Sequence, residues 1–332
     1  GWLFDTNDCW SLTGITRDVE LFTLDNVYLE DVTYTSDVTP DLDATIKIRV
    51  DINLFKEYSG RYKLNLSLSD PLNNHVADFS EVLETGKNTY QFEGQLEHPK
   101  LWTAETPNLY RLEVCIIDNT GRVIQRINER VGVRSICVDG FDFKVNHTPI
   151  FLRGICLNEI HAKSGRALTY KERRQQLEMM KAANINFIRT AHYPFAPDFL
   201  QLCDEMGFYV CNEVPFGSRG SKNLKNIEYL PELLGRADAT LRRDKNHPSV
   251  IIWSLGNENP YTPIVEEVLK FVKAKDPGRP RGLPQKVGDF LRFSSEPSEN
   301  VDVIMGHYLN DARISEAIKN TQKPIIHTEY AH

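Results

Sequence analysis

The stretch Val250-Ile251-Ile252-Trp253-Ser254-Leu255-Gly256-Asn257-Glu258 decides the fold. Its first six residues are mostly apolar, as in a strand that is buried on both faces of a parallel sheet. A glycine and two polar residues then end the run, and residues 261–274 carry the pattern of a helix. The stretch therefore predicts one strand–helix unit, with polar side chains at the carboxyl end of the strand.

The same unit recurs along residues 135–332. A hairpin is predicted at 142–150, and further strands are predicted at 151–155, 186–190, 208–211, 303–305 and 324–327, with another near 279–283. Further helices are predicted after Thr169, where Glu172 completes a capping box, and at 196–206, 231–245 and 312–319. Strands that alternate with helices of this length predict a parallel sheet.

Polar residues at the strand ends distinguish a barrel from a doubly wound sheet. No Gly-x-Gly-x-x-Gly follows the first strand. The polar residues that end or follow strands are Glu159, His192, Glu213, Asn257, Glu258, Tyr308 and Glu329. Side chains from the carboxyl ends of several strands form the active site of a barrel. Because we count seven strands, we expect an incomplete TIM (β/α)8 barrel over 135–332, strands 1 to 7, within a longer protein.

Residues 25–134 have a different pattern. Short runs alternate apolar and polar residues, as in Thr45–Val50 and Tyr62–Leu68, and turn-forming segments such as Ser69–Asn74 separate them. Period-two patterning with a turn about every ten residues predicts an all-β sandwich.

Composition excludes several classes of partner. The net charge is −7 and no basic block occurs, so we expect no nucleic-acid partner. No apolar run approaches the roughly 20 residues that span a bilayer, so we expect no membrane partner. The six cysteines are scattered without zinc-ligand spacing and are interpreted as free thiols.

Glu258 and Glu329 are the candidate catalytic pair, because each follows an apolar strand. Cleavage of a glycosidic bond needs a protonated acid for the leaving oxygen and a second carboxylate as nucleophile or base. Like-charge repulsion favours protonation of one member of such a pair. The amide of Asn257 could bond a sugar hydroxyl, and the phenol of Tyr330 could hold one oxygen of Glu329.

Simpler interpretations of these residues remain open from pattern alone. A glutamate at a strand end is often solvated or ion-paired. His192 could cap a helix, and Arg189 could be a structural counter-ion. Trp253 is expected in the core rather than under a sugar, and Glu213 is expected to support the site from behind.

Longer motifs resemble one family. Residues 243–258, Arg-Asp-Lys-Asn-His-Pro-Ser-Val-Ile-Ile-Trp-Ser-Leu-Gly-Asn-Glu, resemble the acid/base signature of glycoside hydrolase family 2. Residues 186–194 resemble the family's other signature, and 101–110 resemble a segment late in its immunoglobulin-like domain. Residues 329–332 resemble the nucleophile segment of β-galactosidases. The resemblance implies an immunoglobulin-like sandwich over 25–134, preceded at 1–24 by the end of a jelly-roll domain.

The resemblance also implies a retaining mechanism. Glu329 would attack the anomeric carbon, and Glu258 would protonate the leaving group and then deprotonate water. The residues expected around the sugar are Asn257, Arg189, His192, Asn158, Tyr308 and His332, with Glu213 and Tyr330 behind the carboxylates. Asn158 departs from the family, because it stands where β-galactosidases have a substrate-binding histidine.

The magnesium ligands of bacterial relatives are not matched. Gly217 and Arg219 occupy the positions of a glutamate and a histidine, and a hard dication prefers carboxylate oxygens. We therefore expect no cofactor and no metal site.

The expected partner is a β-linked oligosaccharide or glycoside, with terminal β-galactosides as the leading substrate. A β-glucuronidase, a β-mannosidase and an inactive sugar-binding fragment are the alternatives. A homo-oligomer is possible, and the compartment stays open between bacterial cytoplasm and periplasm.

Overall fold

The computed structural model describes residues 14–54, 61–216 and 222–330. These residues form two compact units. The first unit comprises the described parts of Asp18–Ser135 and Lys245–Pro248, and the second comprises those of Gly1–Arg17, Ile136–Asp244 and Ser249–His332.

The first unit is a sandwich of two antiparallel sheets, ordered β1-β2-β5 and β4-β3-β6-β7. Its strands are β1 (Val27–Val38), β2 (Ala44–Leu54), β3 (Lys63–Ser69), β4 (His75–Val82), β5 (Thr89–Leu96), β6 (Tyr110–Ile117) and β7 (Val123–Val131). Burial alternates along β3, where Leu64, Leu66 and Leu68 are buried and the residues between them are partly exposed. The alternation in the sequence thus corresponds to side chains that face the opposite sheet.

The long motif at residues 243–258 belongs to both units. Its segment Lys245–Pro248 is part of the first unit, and its other residues are part of the second. The side chain of Asn246 accepts a hydrogen bond from the Tyr34 amide at 2.9 Å and donates one to the Val32 carbonyl at 2.8 Å. Both bonds are made to β1, which lies at the edge of its sheet and pairs with β2 among the strands that the structure describes. Asn246 therefore satisfies backbone groups at the edge of a sheet.

A small antiparallel sheet begins the second unit. It contains β8 (Ile136–Asp139), β9 (Asp142–Val145) and β10 (Thr148–Pro149), in the order β10-β9-β8. The hairpin predicted within 142–150 corresponds to β9 and β10.

Seven parallel strands follow in sequential order, β11 to β17. They are β11 (Gly154–Leu157), β12 (Phe187–Thr190), β13 (Tyr209–Val214), β14 (Val250–Leu255), β15 (Arg281–Gln285), β16 (Val303–His307) and β17 (Ile325–Glu329). The helices are α1 (Tyr170–Ala182), α2 (Pro197–Met206), α3 (Leu230–Asp244), α4 (Pro263–Lys275), α5 (Val287–Ser295) and α6 (Asp311–Asn320). The Cys156 thiol of β11 donates to the Thr328 carbonyl of β17 at 2.9 Å, so the edge strands approach each other. This sheet and the sandwich confirm the predicted fold class, a nearly closed seven-strand barrel after a β sandwich.

Local features explain why several predicted elements match. The capping box of Thr169 and Glu172 begins α1, and Gly207 ends α2 in the left-handed conformation. Trp253 is fully buried in β14, as expected of a core residue. Its indole nitrogen donates to Asp276 at 2.9 Å.

Two differences concern short elements. Helix α5 was not predicted, and β15 begins two residues later than the weak signal at 279–283. Strand β15 includes Gly282 and Pro284, which are poor strand formers. Gly282 packs closely against β16, because a Cβ atom would lie 2.0 Å from Met305 Sδ and the methionine side chain would have to shift. The strand is therefore set by packing against its neighbour rather than by propensity.

Strand β11 also begins later than predicted. Phe151 is 78% exposed and precedes the strand, whereas Gly154 pairs with Phe187 of β12. Pairing with β12 therefore places the strand, and the apolar run around Phe151 does not.

The segment assigned by resemblance to a jelly-roll remnant is described only from residue 14, where it forms no strand up to residue 24. Residues 1–13 of that segment lie outside the described residues. Arg17 forms an ion pair with Glu159 at 2.5 Å, and Arg173 pairs with the same carboxylate at 2.7 Å. Glu159 is 2% exposed, and its two ion pairs indicate a structural role.

Among the described residues, no helix combines the length and apolar character needed to cross a bilayer.

Candidate active site

A cavity of about 1220 Å³ in the barrel unit extends from the amino ends of β11, β12 and β17 to the carboxyl ends of the strands. Of the expected site residues, it is lined by Asn158, Arg189, His192, Asn257, Glu258, Tyr308, Glu329 and Tyr330. These side chains come from five different strands or the turns after them, although they are distant in sequence. The barrel therefore gathers most of the expected residues into one place.

Glu258 is positioned by a tight turn after β14. Gly256 has φ of 67° and Glu258 has φ of 49°, so both adopt the left-handed conformation. A Cβ atom at Gly256 would lie 2.1 Å from the Phe216 carbonyl oxygen and 2.1 Å from Asn259 Nδ2. The chain can make this turn only with glycine, and a non-glycine residue in the left-handed region often marks a functional site.

Glu329 is the last residue of β17 and has two close donors. Arg189 Nη1 lies 2.8 Å from its Oε1, and the Tyr308 hydroxyl donates to its Oε2 at 2.6 Å. Burial alone would raise the pKa of Glu329, but the electrostatic effects of His307 and Arg189 and the hydrogen bond from Tyr308 outweigh burial and lower it. Glu329 is therefore held as a carboxylate at neutral pH.

Arg189 lines the cavity and connects three polar side chains. It is 1% exposed and donates to Glu213 at 2.6 Å, to Glu329 at 2.8 Å and to Asn257 at 2.7 Å. Burial opposes the charge of Arg189, but the neighbouring carboxylates outweigh burial and raise its pKa. Of the two roles left open by the sequence, these contacts support that of a structural counter-ion.

Glu213 is completely buried and forms an ion pair with Arg189. It also accepts from the Ser254 hydroxyl at 2.9 Å, and His192 Nδ1 lies 3.1 Å from its other oxygen. Burial would raise the pKa of Glu213, but Arg189 and His192 lower it. Its position behind the cavity agrees with the supporting role expected from the sequence.

His307 is a site residue that the sequence reasoning did not identify. Its Nδ1 lies 3.3 Å from Glu258 Oε1 and 3.4 Å from Glu329 Oε2. Burial and the nearby charge of Arg189 lower the pKa of His307 to about 4. The predicted strand stopped at residue 305, whereas β16 continues to His307. A polar residue directly before Tyr308 was the available signal.

Tyr330 does not hold Glu329, contrary to the sequence-based expectation. Its side chain is 68% exposed, and its ring contacts His327 with centroids 6.0 Å apart. The hydroxyl that reaches Glu329 belongs to Tyr308, on the neighbouring strand end. Successive residues at a strand end point in different directions, which explains why the adjacent tyrosine is the wrong one.

Asn158 and His332 were also expected at the site. Asn158 borders the cavity, and its side chain is exposed. His332 lies outside the described residues, as do Gly217 and Arg219 at the positions of the relatives' metal ligands.

One group of three possible metal ligands occurs in the described part of the chain. Atoms of Glu258, His307 and Glu329 lie within 4.8 Å of one another. The group fits a dication poorly, because Arg189 already places a positive charge 2.8 Å from Glu329 and Tyr308 occupies its other oxygen. Hydrogen bonding among these residues explains the arrangement better than metal coordination.

Comparison with known proteins identifies the family. The model for "Glycosyl hydrolases family 2, TIM barrel domain" matches residues 136–332, and that for "Glycosyl hydrolases family 2" matches residues 27–134. The chain belongs to glycoside hydrolase family 2.

Relatives in this family include β-galactosidases. The chain is 34% identical over 301 residues to one from Alteromonas mediterranea, covering 84% of the chain and 28% of the relative. It is 30% identical over 366 residues to one from Vibrio vulnificus, covering 100% of the chain and 34% of the relative. The chain thus spans about a third of the length of these curated family 2 relatives.

Solved family 2 structures have the same fold. The β-glucuronidase of Parabacteroides merdae has a TM-score of 0.77 at 24% identity, covering 91% of this chain and 39% of that one. A β-galacturonidase from Eisenbergiella tayi, solved with galacturonate, also has a TM-score of 0.77, at 26% identity, covering 92% of this chain and 57% of that one.

Replacement of Gly256 tests the turn that positions Glu258. We expect Gly256→Ala to lower the free energy of unfolding by about 2 kcal/mol or more, because the added Cβ meets backbone and the φ angle is strained. Guanidinium denaturation measures the change. Gly288→Ala is the matched control, since a Cβ there meets nothing within 4 Å. Equal stability of the two variants would contradict the packing argument.

Proposed function

We propose that this chain carries the active site of a retaining, exo-acting glycoside hydrolase that cleaves terminal β-galactosides. The observation that carries the proposal is the pair Glu258 and Glu329, which offer ligand atoms within 4.8 Å of each other across the cavity mouth. Retaining enzymes place their carboxyl groups about 5–5.5 Å apart, whereas inverting enzymes leave about 6.5–9.5 Å for a water molecule. The short separation supports a double displacement.

In the first step Glu329 attacks the anomeric carbon and forms a glycosyl ester. Arg189 and Tyr308 favour its ionised form, which is the form that attacks. Glu258 donates its proton to the glycosidic oxygen, so the aglycone leaves as a neutral alcohol. Glu258 is then a carboxylate, and Glu329 has lost its charge in the ester.

In the second step water replaces the aglycone. Glu258 removes a proton from the water, and the oxygen attacks the anomeric carbon as the bond to Glu329 breaks. The sugar is released with its original anomeric configuration, and both glutamates return to their starting forms. The two carboxylates suffice for this chemistry, so we propose that it needs no metal or other cofactor.

A neutral sugar fits the described part of the cavity mouth better than a uronic acid. The cation at the catalytic carboxylates is Arg189, and its donors are taken by Glu213, Glu329 and Asn257. A sugar carboxylate would need a cationic partner of its own. Similarity to β-galactosidases over the whole chain supports the same choice, whereas similarity to a β-galacturonidase favours a uronidase as the second candidate.

A panel of nitrophenyl β-glycosides tests the substrate. We expect the protein, purified as its gene encodes it, to hydrolyse the galactoside at least tenfold faster, by kcat/KM, than the glucuronide, galacturonide or mannoside. EDTA should leave these rates unchanged. Faster cleavage of a uronide would favour the second candidate. No turnover of any glycoside would contradict a catalytic function and favour a sugar-binding fragment.

Glu258→Gln tests the acid role. Glutamine cannot donate a proton to the leaving oxygen, so turnover of substrates with poor leaving groups should fall by about 10²- to 10⁴-fold. A dinitrophenyl glycoside needs little protonation, and its first step should be nearly unaffected, as measured by the burst of released phenol. Equal losses on both substrates would count against the assignment.

Tyr308→Phe tests how Glu329 is kept ionised. The hydroxyl lowers the pKa of Glu329, so its removal should raise that pKa. Because activity requires the carboxylate, the acid limb of kcat/KM should move to higher pH, with about a tenfold loss at the acidic end. Tyr330→Phe is the matched control, since the Tyr330 hydroxyl makes no hydrogen bond to Glu329. Identical shifts in the two variants would argue against a specific effect of Tyr308.

A further inference from the structure

His307 lies between the two carboxylates that the proposed function uses. It is the last residue of β16 and is completely buried. Its Nδ1 is 3.3 Å from Glu258 Oε1 and 3.4 Å from Glu329 Oε2. Nδ1 is therefore at nearly equal distances from the two glutamates, and its contact with Glu258 has the geometry of a hydrogen bond.

The imidazole is neutral at physiological pH. Burial is the main cause of its low pKa of about 4, and the positive charge of Arg189 adds to it. The groups that face His307 are Glu258 after β14, Glu329 on β17, Arg189 on β12 and the adjacent Tyr308. The pKa of Tyr308 is raised by burial and by its hydrogen bond to Glu329, so this phenol is also neutral.

A neutral imidazole carries one proton, and its surroundings select Nδ1. The Nε2 atom is buried and has no hydrogen-bond partner in the described protein. A proton on Nε2 would leave a buried donor without an acceptor, whereas a proton on Nδ1 faces two carboxylates. The ring therefore presents an N–H group to Glu258 and Glu329.

We propose that His307 is a positioning residue whose Nδ1–H donates to whichever of Glu258 and Glu329 carries the negative charge. This inference rests on the proposed function. In the free enzyme the charge is on Glu329, and Glu258 holds a proton. In the glycosyl-enzyme Glu329 is an ester and Glu258 is the carboxylate. In both states the two glutamates together carry one negative charge. A small movement of the His307 ring lets Nδ1–H donate to the glutamate that is charged.

No bond to the ring forms or breaks in this scheme, and the Nδ1 proton is never transferred. The neutrality of His307 is essential. An imidazolium would favour ionisation of both carboxylates at once and would remove the proton that Glu258 must donate. A neutral donor stabilises one negative charge at either position without enforcing two.

Replacement of His307 by asparagine or by glutamine tests the roles of the two ring nitrogens separately. The amide of His307→Asn lies near the position of Nδ1, and that of His307→Gln lies near Nε2. We expect His307→Gln to lower kcat/KM about tenfold and to move the acid limb of the pH profile to higher pH, because Glu329 loses a donor. His307→Asn should restore the limb and most of the rate. If His307 had only a structural role, His307→Gln would lower kcat/KM by the same factor at every pH, and the acid limb of the pH profile would not move.

Equal behaviour of the two variants, or an unmoved acid limb in His307→Gln, would overturn the inference. Thermal unfolding of both variants identifies any loss of fold, and nitrogen-15 NMR of the histidines in the unaltered protein does not depend on a variant that folds. The signal absent from His307→Asn should report a neutral ring protonated on Nδ1 from about pH 5 upwards. A ring protonated on Nε2, or charged at pH 7, would overturn the inference.

These measurements also separate the inference from the proposed function. Absence of turnover on every glycoside by the unaltered protein would contradict the function, whereas the NMR signal would still show whether Nδ1–H faces the carboxylates. Normal turnover by a protein whose His307 is protonated on Nε2 would contradict the inference but not the proposed function.

Discussion

The buried ion pair of Arg189 with Glu213 and Glu329 is the interaction on which the arrangement of the barrel mouth depends. Arg189 Nη2 is 2.6 Å from Glu213, and its Nη1 is 2.8 Å from Glu329. A buried charge is tolerated only when it is paired and hydrogen-bonded, so removing one partner leaves an uncompensated charge. The guanidinium therefore holds three strands in register at their carboxyl ends. It also explains why Glu213, although a glutamate at a strand end, is unsuited to catalysis.

The positive charge of Arg189 has different effects on the neighbouring ionisable groups. It favours the ionised form of Glu329, and together with burial it disfavours protonation of His307. The site thus contains one carboxylate held ionised, a second carboxylate across the cavity mouth, and a neutral imidazole between them. A double displacement needs a nucleophile that stays charged and an acid that can exchange its proton, and this distribution suits both requirements. Preorganisation of this kind comes from fixed groups around the reacting atoms rather than from those atoms alone.

Much of the fold was predictable because local and long-range signals agree. The apolar run Val250–Leu255 can be satisfied only by burial on both faces, and the structure uses the same six residues as β14. The capping box of Thr169 and Glu172 begins α1 at the expected residue. The sequence predicted less where packing outweighs propensity, as in β15, where Gly282 packs closely against the sulfur of Met305. Helix α5 was not predicted from the sequence, although its apolar residues Phe290 and Phe293 are buried in the barrel unit.

The sequence by itself determined the order of strands and helices, the family signatures and the identity of Glu258 and Glu329 as candidates, because these depend on residues close together in the chain. Only the tertiary structure decided which neighbours act on them. Tyr330 is adjacent to Glu329 in sequence, yet Tyr308, 21 residues earlier, reaches its carboxylate. His307 is 49 residues from Glu258, yet its ring lies beside that carboxylate. Hydrogen bonds across a barrel mouth depend on strand register and side-chain direction, which parallel pairing sets and local sequence does not.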